Sequence, residues 1–387
     1  MHNIFRIKKI SLAILVSCFA LFLRFYAAYN GPFEYDEEVY YAIAVEYNLA
    51  IREGDWNQIL DSTIVFEHPQ FYKLIYAIGL IPGKSPPRTD SLFSHGDDLQ
   101  SYASWHKPFF LRMISAFFGT ATVFFLSLIN PVAGLFLAIN TYEIKYTSVI
   151  YLEALPTLTS LLAVMAARKS LKAYYDNAVP NKKWVRWFVL SSLSMGIAAA
   201  SKYIYCIVGI TIIIAVIIQG WKHKISSLIG LTAWGLLVFT FFFMLDPVLW
   251  HSPLNRLIES VKFNINYSLG MHVAEVGYPF WQPLRWLMIS LPQQPEHPLA
   301  SFNNAGDYFI LSDSLVFILA LLGLPALFKK NKLMFIWLVV GLAFLFLWNT
   351  KWPQYILVVL PPLCISAAYG FDISRLAIIK LKSRLIG

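Results

Sequence analysis

Gly31-Pro32-Phe33-Glu34-Tyr35-Asp36-Glu37-Glu38-Val39-Tyr40-Tyr41 sets four carboxylates within five positions, directly after the first long apolar run of the chain. Acids packed this closely repel one another, so some are expected to hold a proton, a cation or a partner side chain. Alone, the stretch reads most simply as a solvated acidic loop behind a membrane anchor. Its surroundings change that reading.

The 387 residues are 58% hydrophobic and only 14% charged, where a soluble domain carries about 25% charged residues. Apolar runs near 20 residues recur, with charge confined between them, which is the pattern of a polytopic helical membrane protein. The net charge of +9 sits in short basic clusters at the ends of apolar runs. It therefore reads as a topology signal, and no nucleic-acid partner is expected. Cys18, Cys206 and Cys364 all fall inside apolar runs and suggest neither a metal site nor a disulfide framework.

Upstream of the acidic stretch, Arg6, Lys8 and Lys9 precede an apolar run from Ile10 to Ala28. With Arg24 inside it and no clear small-x-small site, it reads as an uncleaved first helix rather than a signal peptide. Arg24, near its outer end, is expected to snorkel or to pair with the acidic stretch. Downstream, residues 30 to about 108 form a long polar segment. Within it Phe71 to Ile81 is apolar but too short to span, so an interfacial or re-entrant helix is expected there, ended by Pro82-Gly83 and Pro86-Pro87. Further spans are expected at about 109–128, 131–147, 151–167, 187–201, 204–220, 226–245, 312–328, 333–349 and 354–371.

Charge tests this count of roughly ten helices. With the N-terminus inside, the inner segments are 1–9, 168–186, 222–224, 329–332 and 372–387. They hold 18 of the 31 lysines and arginines but, of the 22 acids, only Asp176 and Asp372. The expected architecture is all-α and polytopic, a single membrane domain over 1–387 with both termini cytoplasmic. Two long loops, about 30–108 and about 246–311, fall outside, and a basic amphipathic tail, about 373–387, lies on the inner leaflet. The second loop carries Tyr278-Pro279-Phe280-Trp281-Gln282-Pro283-Leu284-Arg285-Trp286, suited to the level where lipid chains meet headgroups.

The polar residues that interrupt apolar runs stand at outer ends: Glu153, Lys202, Asp246 and Lys351. Each alone is most simply an end residue reaching for water. Together they put both signs of charge on one face, beside Trp and Pro, as suits a cavity that handles an anion and a proton together.

These residues carry a resemblance. The chain resembles the GT-C superfamily of polyprenyl-phosphate-dependent glycosyltransferases, notably the protein O-mannosyltransferases (glycosyltransferase family 39) and the lipid A aminoarabinose transferases. Asp36-Glu37, with Tyr40 or Tyr41 behind it, resembles the family's Asp-Glu pair after the first helix. His68-Pro69-Gln70-Phe71-Tyr72-Lys73 resembles the His-Pro-x-x-x-Lys element, with Gln70 where a second Pro often stands. Arg112 to Gly119 is similar to the start of the family's second helix. Thr147 to Glu153 matches a Ser-Arg-x-x-x-x-acid element only at Glu153. Ser201-Lys202-Tyr203 resembles the Lys-aromatic step. Trp348 to Tyr355, followed by Pro361-Pro362, resembles the end of the core, with Gln354 in place of Arg.

The resemblance implies transfer of a sugar, such as mannose, from a dolichyl or undecaprenyl phosphate to an acceptor hydroxyl on protein, lipid or glycan, with inversion. The site would face outward from an integral membrane protein, most simply in the cell membrane among membrane lipids. Such a reaction needs a base for the hydroxyl and positive charge for the departing phosphate. Asp36 is expected as base. If the segment is helical, Glu37 projects about 100° away and takes a different role, orienting the acceptor or tying the loop to Arg24 or Lys202. Lys73, Lys202, Lys351 and Arg285 are candidates for the phosphate, with Arg24, His68, Glu153 and Tyr355 completing the substrate site. Phe280, Trp281 and Trp286 are candidates for the isoprenoid tail. No cofactor is required. A divalent metal remains open, with Asp36, Glu37 and His68 as the nearest ligand set and Glu67 and Glu153 beyond it. The alternatives from other readings are a polyprenyl-lipid flippase or transporter, and a surface-polysaccharide polymerase or ligase. The apolar helix middles and absence of internal repeats weigh against a transporter.

Overall fold

The computed structural model describes residues 2–62, 67–83, 109–177, 181–219, 224–290 and 305–386, and among them no strand occurs. The Pro86-Pro87 turn expected in the first loop lies outside the described residues. The helices are α1 (His2–Asn30), α2 (Tyr35–Glu53), α3 (Asn57–Leu60), α4 (Phe71–Gly79), α5 (Phe109–Ile129), α6 (Pro131–Ala138), α7 (Thr141–Tyr146), α8 (Ala154–Asn177), α9 (Lys182–Ser201), α10 (Cys206–Gln219), α11 (Lys224–Leu245), α12 (Pro253–Ser268), α13 (Met271–Val276), α14 (Gln282–Met288), α15 (Ala305–Lys330), α16 (Lys332–Leu347) and α17 (Leu360–Ile386). Among the described residues five stretches are long and apolar enough to cross a membrane: Ile7–Asn30, Phe109–Ile129, Ser227–Leu245, Ser312–Lys330 and Leu360–Arg384; Tyr203–Ile218 and Lys332–Leu347 are shorter apolar helices.

The bundle has two distinct ends. At one, Arg112 near the start of α5 reaches the Ala28 carbonyl near the end of α1, at 3.0 Å. At the other, the Lys9 ammonium donates to the Ile129 carbonyl at 3.1 Å. α1 and α5 are therefore antiparallel along their whole length. α15 and α17 approach so closely that a Cβ on Gly370 would stand 1.9 Å from the Leu319 carbonyl oxygen. Gly370 thus marks a helix contact and not a stop.

One sequence expectation is corrected and two are extended. The span expected at 131–147 is not one helix but two, of eight and six residues. The break is a buried polar knot. The Asp313 carboxylate accepts from the Asn140 side-chain amide N–H at 2.9 Å and the Thr141 hydroxyl at 2.5 Å, while Asn140 Oδ1 accepts the Glu143 N–H at 3.0 Å. An N-cap of this kind starts a new helix where the chain would otherwise continue the old one. The basic tail expected at about 373–387 continues α17 without a break, because no helix breaker follows Gly370; Ile373, Leu376, Ile378 and Leu381 are exposed along it. The polar segment after α1 contains a nineteen-residue helix, α2, that apolar runs alone did not reveal.

Candidate active site

α2 owes its start to the acidic stretch. Asp36, Glu37 and Glu38 all lie in its first turn, where the helix dipole favours negative charge. It ends at Gly54, whose φ of 73° is the left-handed conformation that glycine adopts without penalty. Arg52, in the last turn, reaches across to cap the end of α4, donating to the Ile81 carbonyl at 2.8 Å and the Gly83 carbonyl at 2.9 Å.

The helical turn separates the two central acids. Glu37 is fully buried. Its Oε1 accepts from Arg112 Nε and the Ile150 N–H, both at 2.8 Å, and its Oε2 accepts from Arg112 Nη2 at 2.6 Å and the Glu34 N–H at 3.0 Å. Arg112 spends its other hydrogens on the carbonyls of Ala28, Gly31 and Pro32, at 3.0, 2.8 and 2.6 Å. Both side chains are saturated. Glu37 is therefore the anchor of the stretch, which corrects the expectation that it ties the loop to Arg24 or Lys202, and it has no oxygen left for an acceptor or a metal.

Arg24 is also placed differently from the expectation. It is fully buried and pairs with Glu143 of α7, while its Nε donates to the Thr147 hydroxyl at 3.0 Å. A charge inside the helical layer is tolerated when it is paired in this way. Gly119 of α5 makes room for the cluster: a Cβ there would stand 2.5 Å from the Thr147 side chain and 2.9 Å from Arg24 Nε.

Of the stretch's four acids, Asp36 and Glu38 are left without a partner among the described residues, and Asp36 lies within the field of Lys202. Glu34 is taken by Lys145 at 2.9 Å and Glu153 by Lys202. The Asp36 carboxylate is partly buried, and among the described residues no hydrogen bond or ion pair engages it. Burial pushes its carboxyl above the ordinary carboxylate range; the Lys202 ammonium pulls it back and Glu34 adds to the rise.

Lys202 lies on the wall of a cavity of about 500 Å³. His68, Tyr355 and Asn264 bring polar atoms to the same cavity, and Ile207 and Ile210 of α10 and Phe344 of α16, with Ile204 and Trp348 just outside these helices, make an apolar flank. The Lys202 ammonium also sits 5.4 Å from the Tyr355 ring centroid. Burial, with Lys202 and Lys73 close by, drives the His68 imidazole well below its usual value, so it is neutral at pH 7. The arrangement offers a cation and a neutral imidazole on the wall of a mostly apolar cavity, with the Asp36 carboxylate within the field of that cation.

The remaining candidates are more distant or otherwise engaged. Lys73 of α4 is fully buried and donates to the His68 carbonyl at 3.2 Å; burial lowers it to about 7 against the raising pull of Glu67 and Asp246. Lys351 turns back onto the end of α16, donating to the carbonyls of Phe346 and Trp348, which is a helix-capping position rather than a cavity one. Arg285 is exposed on α14, near Tyr142 and outside the cavity lining. Phe280 and Trp281 are exposed, but Trp286 is buried edge-on against Tyr278 and is withdrawn from any tail-contacting set. Among the described residues no three His, Cys, Asp or Glu side chains converge as a metal would require.

Sequence reasoning missed the partners. Arg112, Glu143 and Lys145 complete the ion pairs of Glu37, Arg24 and Glu34. Asp246 holds the N-terminal end of α4 by accepting the Gln70 N–H at 3.2 Å, and burial raises its carboxyl to about 7. Its position at the end of an apolar run was visible; its partner, 176 residues away, was not.

The chain matches no family model and no curated protein. Solved structures do match. The chain is 13% identical to ArnT from Cupriavidus metallidurans bound to undecaprenyl phosphate, with a TM-score of 0.58 over 93% of this chain and 60% of that one. It is 11% identical to the archaeal oligosaccharyltransferase AglB from Archaeoglobus fulgidus, in complex with an inhibitory peptide and a dolichol-phosphate, with a TM-score of 0.53 over 98% of this chain and 52% of that one. The chain thus spans between about half and about three-fifths of the length of these two proteins. The chain shares the fold of these structures, which supports the GT-C fold expected from the sequence.

Proposed function

We propose that the chain is a membrane glycosyltransferase that moves a sugar, a hexose such as mannose, from a polyprenyl-phosphate carrier to an acceptor hydroxyl at the outer membrane face, with inversion at C1. The observation that carries the reading is the partly buried Asp36 carboxylate, without a hydrogen bond or ion pair among the described residues and within the field of Lys202, which itself lines a mostly apolar cavity. The GT-C fold, shared with structures that hold undecaprenyl phosphate and dolichol-phosphate, supports the carrier class.

The residues divide the work as follows. The isoprenoid tail lies along the apolar flank of α10 and α16. Lys202 faces the phosphate, with Tyr355 beneath its ammonium and neutral His68 across the cavity. Asp36 takes the proton of the acceptor hydroxyl as the acceptor oxygen bonds to C1. The bond from C1 to the phosphate oxygen breaks, and the charge left on the phosphate is met by Lys202. Inversion requires base and phosphate on opposite sides of C1. The raised Asp36 carboxyl is a stronger base than an exposed one.

The test is transfer of labelled sugar from synthetic mannosyl-polyprenyl phosphate by the purified chain in lipid. Transfer to a hydroxyl acceptor supports the reading. No transfer from any sugar-lipid, with lipid moving between leaflets instead, would overturn it in favour of a flippase.

A further inference from the structure

The cavity's cation carries its own counter-charge. Lys202 pairs directly with Glu153 Oε1, and the two side chains are only 5% and 1% exposed. The second Glu153 oxygen is buried and has no hydrogen-bond partner among the described residues. Lys202 is therefore what compensates this carboxylate. A ligand anion must share Lys202 with Glu153 and cannot take it outright, because a buried carboxylate left alone is expensive. No other full cation lines the cavity among the described residues. Lys351 faces the carbonyls of α16, and Lys73 faces the His68 carbonyl.

This matters for the charge of the ligand. The Glu153 field opposes a ligand in proportion to the ligand's charge, so a dianion feels it twice as strongly as a monoanion. The cost of drying an ion grows as the square of its charge, which penalises a dianion further. The sugar-loaded carrier is a phosphodiester with one negative charge. The carrier left after transfer is a phosphate monoester with up to two.

We propose that Glu153, by neutralising Lys202, is the specificity-determining residue that makes the cavity favour the singly charged sugar-loaded carrier over the doubly charged spent carrier. The inference rests on the polyprenyl-phosphate reading above. It gives Glu153 a place in turnover: it holds no reacting atom, but it keeps the product from occupying the site.

The experiment compares two probes that differ only in charge, farnesyl phosphate and farnesyl methyl phosphate. Binding is measured to the full chain in lipid nanodiscs at about pH 8, where the monoester is doubly ionised. The wild type is expected to bind the methyl diester at least threefold more tightly than the monoester. Glu153→Gln is expected to shift that ratio at least tenfold toward the monoester, and to deepen inhibition of sugar transfer by farnesyl phosphate. A wild type that prefers the monoester overturns the proposal, and needs no variant to do so. An unchanged ratio in Glu153→Gln, including equal weakening of both probes, also overturns it and leaves the transferase reading intact. Failure of the wild type to bind either probe overturns both readings.

Discussion

Glu37 and Arg112 meet across 75 positions of sequence in a two-bond pair, 2.8 Å between Nε and Oε1 and 2.6 Å between Nη2 and Oε2. Through it the start of α5 holds the end of α1, the turn Gly31–Pro32 and the first turn of α2 as one unit. Removing one partner of a buried pair leaves the other charge uncompensated, at a cost of about 3–5 kcal/mol. Arg112→Met is expected to lower thermal stability by that order. Arg112→Lys is expected to fail as a rescue, since an ammonium cannot replace a planar fork that serves five acceptors. Thermal unfolding in detergent checks both.

Among the described residues Asp36 has no such structural partner, so its loss should be silent in stability and loud in rate. Asp36→Asn is expected to reduce transfer about 100- to 10,000-fold, the usual worth of a general base, while unfolding temperature and donor binding stay close to wild type. Transfer that survives in the variant would remove Asp36 from the role.

The pH dependence follows from the same residue. Burial raises the Asp36 carboxyl above the ordinary aspartate value, and the basic form is the ionised one. Activity is therefore expected to be absent at low pH and to rise as pH passes through that raised value. Lys202 is what pulls the carboxyl down, so Lys202→Met should move the rising limb to higher pH as well as weaken donor binding. The pH profile of kcat/KM in the two proteins is the measurement.

Asp246 separates shape from charge. Asp246→Asn keeps an oxygen for the Gln70 N–H, whereas Asp246→Ala leaves that buried donor unsatisfied, which costs about 1–3 kcal/mol. Because burial raises its carboxyl to about 7, the folded state holds the proton more tightly than the unfolded chain. The Asp246 contribution is then full below the unfolded value and fades as pH climbs to about 7. Unfolding scans across that range should show a decline that Asp246→Asn flattens.

Gly119 tests the second buried pair. Its added Cβ would collide with the Thr147 side chain and crowd Arg24 Nε. Gly119→Ala is expected to destabilise by about 1–3 kcal/mol, the usual cost of overpacking, and Gly119→Val by more; chemical or thermal unfolding reports both.

Much of the fold was legible from the chain itself. Lengths and composition of apolar runs are local quantities, and a bilayer selects on them directly. The short apolar piece at Phe71 was readable as a helix too short to span for the same reason. The signals for α2 were present too, an acidic first turn and Gly54 nineteen positions after Tyr35, but they are capping signals that hydropathy does not register. What local reading could not supply was partnership. Glu34, Asp36, Glu37 and Glu38 are chemically near-equivalent in the sequence, and a helix places them on different faces. The tertiary structure then assigns Lys145 to Glu34 and Arg112 to Glu37, and leaves Asp36 free toward Lys202. The break at Asn140 was likewise decided by Asp313, 173 residues away. The sequence by itself determined which segments are apolar enough to form the bundle, because solvent transfer acts residue by residue. Only the tertiary structure decided which charges neutralise each other, because pairing depends on distances that no linear spacing encodes.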